Sequence, residues 1–174
     1  MALPVWLPEL VEQAAFDGWP SYYNAVYNSY RADFIDGAPT FRGAQVALKL
    51  LPERHGRDAT FHHLITRDIG KTGVEEDREI CHHRCARIRY PRSFIDNHHD
   101  NSVKCWRQKK NGEWRVSILL EEINYITVLS ERSGYYVLWT AYIIDENHEM
   151  RKLLRQYERA KRGGHVLEMQ ECAA

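Results

Sequence analysis

No stretch of this 174-residue chain approaches the ~18 consecutive apolar residues of a membrane span, so no integral membrane protein is expected. The opening Met1-Ala-Leu-Pro-Val-Trp-Leu-Pro-Glu lacks a basic lead and a clean apolar core, which argues against a secretory leader. Cysteine is scarce: four thiols without a leader read as reduced side chains in a cytoplasm rather than a disulfide framework. A glycine-rich phosphate loop, a His-Glu-x-x-His helix and a nucleophile elbow are all missing. So are repeats, low-complexity tracts and linkers, which leaves a single domain over 1–174. Net charge is also absent, with 24 Lys+Arg against 24 Asp+Glu. What is present, 44% apolar and 11% aromatic residues, suffices for an ordinary core and excludes wholesale disorder.

The zero balance hides segregation. Residues 81–115 hold nine basic and three acidic side chains, whereas 116–150 hold one and six. Such a block fits a face that meets an anion, or else a surface that pairs with the acidic segments. The pattern predicts helices over Leu7 to Phe16 and from Ser21 through Phe34, the latter with Tyr23, Tyr27, Tyr30 and Phe34 on a core face. Residues 1–39 form this helical part, 40–162 an α+β core and 163–174 a tail. A strand over Thr40 to Leu50, a loop, an extended Phe61 to Thr66 and a helix over Val74 to Arg87 ended by Pro91 are expected next. Asn111-Gly112 marks a hairpin between Val103 to Gln108 and Trp114 to Leu120. Strands over Tyr125 to Leu129 and Tyr135 to Ile144 and a helix over Glu146 to Arg162 complete the chain. The expected class is α+β: N-terminal helices, an antiparallel sheet of about four strands and a C-terminal helix.

Four groups of residues can carry chemistry. Alternation along the last strand places Tyr136, Leu138, Thr140, Tyr142 and Ile144 on one face, with the hydroxyls of Thr140 and Tyr142 about 7 Å apart. Tyr135, Val137, Trp139, Ala141 and Ile143 would form the core face. Arg84, Arg87, Arg89 and Arg92 crowd nine residues and suit a phosphate clamp, or a set of surface ion pairs. His62 and His63 stand beside Thr66, and on an extended chain only one can face a given site. Cys81 and Cys85 would share a helix face and could ligate an ion, with His82, His83, His98, His99 and Cys105 nearby. Zinc pairs usually sit on turns and the arginine surplus disfavours a cation, so no metal is expected.

These pieces recur in a recognisable order: Trp19-Pro20, the Tyr27–Phe34 helix, Phe41-Arg42-Gly43, Thr60-Phe61-His62-His63-Leu64-Ile65-Thr66, Arg84-Cys85-Ala86-Arg87-Ile88-Arg89-Tyr90-Pro91-Arg92 and Leu138-Trp139-Thr140-Ala141-Tyr142. Together they resemble a family of small phage- and mobile-element-associated proteins. That family is similar to a branch of the BECR nucleases, which share the barnase, EndoU, colicin and RelE-like fold. His63 and Thr66 match the family's His-Leu-x-Thr pattern, while His62 stands where an aromatic is usual. Arg67-Asp68-Ile69-Gly70 replaces a Ser-Glu-Gly-like continuation, and Tyr90 replaces a common tryptophan. Arg84, Arg87 and Arg92 match the arginine pattern, and Thr140 and Tyr142 the Trp-Thr-x-Tyr motif.

The resemblance implies a metal-independent endoribonuclease toxin of BECR-like fold, without cofactor, acting on RNA and held by an antitoxin or immunity protein. His63 would be general base or acid and Arg87 would stabilise the phosphorane. Thr140 and Tyr142 would complete the catalytic set, with Thr66, Arg84, Arg89 and Arg92 binding substrate. Two other readings stand beside it: a non-catalytic protein binding RNA, DNA or a partner, and an enzyme acting on a nucleotide-sized phosphate. Convergence of His63, the arginines and Thr140/Tyr142 in one cleft is the discriminating observation.

Overall fold

A computed structural model describes residues 2–167. In chain order its main elements are α1 (Gly18–Tyr30), β1 (Thr40–Phe41), β2 (Ala44–Ala47), α2 (Ala59–Ile65), β3 (Thr66–Arg67), β4 (Glu79–Ile80) and α3 (His82–Ala86). They continue with α4 (Tyr90–Asp96), β5 (Val103–Lys110), β6 (Glu113–Leu120), β7 (Tyr125–Glu131), β8 (Tyr136–Ile143) and α5 (Asn147–Arg162). The class is α+β, with an N-terminal helix, a mixed six-stranded half-barrel sheet and a C-terminal helix. The strand order is β1-β2-β8-β7-β6-β5. All neighbours are antiparallel except β2 and β8, which run parallel through Val46↔Tyr136 and Ala47↔Val137. The sheet is therefore neither wholly antiparallel nor four-stranded. Its extra edge comes from the Thr40–Leu50 segment, which doubles back at Arg42-Gly43 instead of running straight.

Two apolar layers sandwich the sheet. On one face the aromatic stripe of α1 does core work: Tyr22, Val26, Tyr30 and Phe34 are buried with Phe61, Leu64 and Ile65 of α2. They pack on Val116, Ile118, Leu120, Tyr125, Leu129, Leu138 and Ala141. Each such fully buried Phe or Leu stabilises by roughly 1.5–3 kcal/mol relative to exposure. On the other face α5 lays Leu153 and Ala160 over Trp106, Leu119, Ile126 and Ile144. The β5–β6 turn is set by Asn111 and Gly112, both at positive φ (52° and 80°), the geometry that two-residue hairpin loops need.

Four expectations fail for local reasons. Residues 7–16 form only a short 3₁₀ turn, Gln13–Ala15, because this segment is tied to the body instead: Val11 N–H donates to Ala86 and Val11 C=O accepts from Tyr22. Gly18 and Pro20, which lie before the helix expected from Ser21, begin α1, where the missing proline N–H falls in the unpaired first turn. Phe61 to Ile65 is helical and only Thr66 is extended, since Asp58 caps α2 by accepting from Phe61 N–H at 2.9 Å. Val74 to Arg87 is no single helix: Arg78 leaves the helical region and β4 pairs with β3. Pro91 accordingly lies inside the first turn of α4 rather than ending a helix. The 163–174 tail is described as far as Leu167, where Val166 bridges to Trp106, and its remainder lies outside the described residues.

Candidate active site

Helices α2 and α3 pack on β8, and this junction opens a cleft of about 520 Å³. His63 reaches it from α2, Arg84 from α3, and Thr140 and Tyr142 from β8. Thr140 and Tyr142 share a face as alternation demands. Leu138 does not share it, because the register against β7 shifts from Val128↔Thr140 to Leu129↔Leu138 and leaves Trp139 as an extra, bulged residue. Leu138, Ala141 and Ile143 thus point to the α1–α2 core, and Trp139, placed in the core by simple alternation, is exposed.

His63 is held by its neighbours. Its Nδ1 lies 3.0 Å from Oε1 of Glu75, a carboxylate that also pairs with Arg78 at 3.6 Å. A carboxylate accepts, so Nδ1 carries the proton and Nε2 keeps the lone pair. Burial and the charges of Arg78 and Arg84 push the imidazole below its usual pKa, against the opposing pull of Glu75. The ring is accordingly neutral at pH 7 and fit to accept a proton.

Arg78 and Arg84 bracket that histidine. Arg78 is nearly buried and donates to Thr66 Oγ1 (3.0 Å), Thr66 C=O (2.7 Å) and His63 C=O (3.3 Å), clamping the end of α2. Arg84 donates one N–H to His63 C=O at 3.4 Å and sits 5.4 Å from the Tyr142 ring centre. Its other donors have no protein partner among the described residues, which leaves them for an anion in the cleft. Tyr142 donates its phenolic O–H to Glu149 of α5 at 2.8 Å. Burial first, then that carboxylate, holds the phenol proton more tightly than usual, while Arg84 pulls the other way.

The remaining expected site residues have other partners. Thr66 is buried, and its hydroxyl donates to His62 C=O at 2.7 Å and accepts from Arg78. Arg87 donates to His83 C=O, beyond the cleft wall. Arg89 is exposed and acts electrostatically on Asp33. Arg92 is bolted to Asp96 (2.8 Å), to Asp33 C=O (2.5 Å) and to Gly37 C=O. A Cβ on Gly37 would lie 2.6 Å from its Nη1. Three of the four clustered arginines therefore stay outside the cleft, in or beyond the turn over residues 87–89 that separates α3 from α4. Cys81 caps α3 while Cys85 faces the core, its thiol pushed up to about 12 by burial. Among the described residues, no three His, Cys, Asp or Glu side chains are grouped as ion ligands.

The chain matches no protein-family model, no curated protein and no solved structure. The site is therefore read from its own geometry. Three contributors escape a sequence reading. Glu75 looks like a first-turn acid of a helix that does not form, Arg78 belongs to no motif, and Glu149 reaches the cleft only because α5 folds back over β8. Spacing on α5 offers a faint signal: Glu149 and Lys152, three apart on a helix, both line the cleft.

Proposed function

We propose that this protein is an endoribonuclease of BECR-like fold that cleaves RNA by attack of the ribose 2′-hydroxyl, leaving a 2′,3′-cyclic phosphate. The observation that carries the reading is the convergence of a neutral, carboxylate-oriented His63 with Arg84, Thr140 and Tyr142 on one cleft. His63 Nε2 takes the 2′-hydroxyl proton as the 2′-oxygen bonds to phosphorus. Arg84 stabilises the charge gathering on the non-bridging oxygens, and Thr140 donates a hydrogen bond to one of them. The bond from phosphorus to the 5′-oxygen breaks, and Tyr142 supplies that oxygen's proton. Exchange with water then returns the proton from His63 to the phenolate. Arg78 and Glu75 act through His63 by fixing its position and tautomer. A toxin role, with an antitoxin or immunity partner, follows from the family resemblance alone.

The size of the polar cleft, about 520 Å³, favours a second reading in which a free nucleotide-sized phosphate is the substrate. One experiment separates the two. Pooled RNA is incubated with the protein in EDTA and the product ends are identified, beside nucleoside monophosphates as alternative substrates. The proposal expects cyclic phosphate and 5′-hydroxyl ends, and resistance of RNA carrying 2′-deoxyribose at the cleaved position. Undiminished cleavage of the deoxy-substituted strand would overturn it, as would turnover of the monophosphates with none of RNA.

A further inference from the structure

His63, a wall of the polar cleft, has a second side. Behind it lies another chamber, of about 490 Å³, bounded by Leu48, Pro52, Tyr135, Val137, Leu138 and Trp139. Its character is opposite to that of the polar cleft, being mostly apolar with two aromatic rings. Those rings are not core: Tyr135 is 42% and Trp139 39% exposed. The bulge in β8 turns Trp139 outward, and Arg115, from the neighbouring groove, stacks on its ring at 4.1 Å and backs it. Lys49, Arg54 and Arg132 stand around the chamber, the two arginines already paired with carboxylates, Arg54 with Glu76 at 2.7 Å and Arg132 with Glu113 at 3.0 Å. His62 lines it too, with burial lowering its pKa so that it offers a neutral ring.

A largely apolar chamber with two exposed aromatic rings, one side chain away from the proposed phosphate site, fits one ligand chemistry: a nucleobase on the same strand as that phosphate. We propose that the chamber holds one unstacked base of a single-stranded RNA, stacked on Trp139, next to the phosphate that His63 faces. This rests on the ribonuclease reading for the phosphate and adds the substrate class, single strands or loops rather than duplex. A base paired in an A-form helix cannot leave the stack to enter the chamber without unpairing.

The test is fluorescence anisotropy with a labelled, uncleavable 2′-O-methyl strand of about ten nucleotides, within ordinary single-strand site sizes. The same strand is also presented in a duplex and with abasic positions. Trp139→Ala is expected to weaken single-strand binding on the order of tenfold or more, with Trp139→Phe recovering most of it. Tyr135→Ala, at an exposed ring where misfolding is not at issue, is expected to weaken it less. The duplex and the abasic strand should bind as poorly to wild type as the intact strand binds to Trp139→Ala. Equal binding of duplex and single strand overturns the proposal, as does wild-type affinity in both Trp139→Ala and Tyr135→Ala. Cleavage is assayed separately. Base-dependent binding without cleavage keeps the chamber and removes the nuclease, whereas cleavage indifferent to Trp139→Ala does the reverse.

Discussion

In the proposed mechanism what surrounds His63 makes it the base, and two substitutions separate its chemistry from its support. His63→Ala should lose on the order of 10²-fold or more in cleavage rate, measured on RNA under saturating protein. With the neutral ring as the proposed base, activity should rise with pH through the His63 titration, with its midpoint below 6.5. Glu75 raises that pKa, so Glu75→Gln should move the midpoint to lower pH while also lowering the rate. A midpoint that stays put would remove Glu75 from the site. His62 behaves differently from its sequence-based expectation. On an extended chain it would face away from the site, but one helical step from His63 it lines the base chamber. His62→Ala should therefore weaken substrate binding and leave the pH midpoint nearly unchanged. Thr140 and Tyr142 were legible from strand alternation, since two residues apart on a strand is a geometric certainty wherever no bulge intervenes. Glu75 and Arg78 were not, because their roles depend on a loop closing over α2.

The element that decides the site is α2, only seven residues long. A helix so short has little stability of its own and depends on its cap and on burial. Asp58 supplies both links: one carboxylate oxygen accepts from Phe61 N–H at 2.9 Å and from the buried Tyr30 hydroxyl at 2.8 Å. Asp58→Ala removes a cap worth roughly 1 kcal/mol and orphans a buried hydroxyl at roughly 1–3 more. The expected loss is about 2–4 kcal/mol by urea denaturation, with cleavage falling alongside. A loss below about 0.5 kcal/mol, the ordinary surface range, would contradict it. The signal for α2 was in the sequence, an Asp three residues before an apolar run, but the β-branched and aromatic content of 61–66 outweighed it. The β5–β6 hairpin, β7, β8 and α5 were legible because turn chemistry and periodicity are local. The parallel pairing of β2 with β8 joins residues about 90 apart, and nothing local encodes it.

At the scale of the whole molecule, zero net charge removes any general attraction for RNA, so the proposed RNA binding would have to come from where the charges sit. Three concavities share walls. His63 lines both the apolar chamber and the polar cleft, and Thr140, Tyr142, Glu149 and Lys152 join the cleft to a third groove of about 290 Å³. That groove runs out along Lys109, Lys110 and Arg115 at the β5–β6 hairpin, within the basic block that composition alone singled out. A strand threading all three would meet a few phosphate-binding cations rather than a broad basic face. Each phosphate contact on a single strand contributes about −0.7 to the slope of log K against log salt. Three or four contacts give a slope of about −2 to −3, and Lys109→Glu with Lys110→Glu should flatten it by about 1.4. The double variant should still cleave a dinucleotide, which is too short to reach the hairpin, at close to the wild-type rate. An unchanged slope in long single strands would place the RNA path elsewhere. A lost dinucleotide activity in the folded variant would instead mean that the hairpin belongs to the cleft itself.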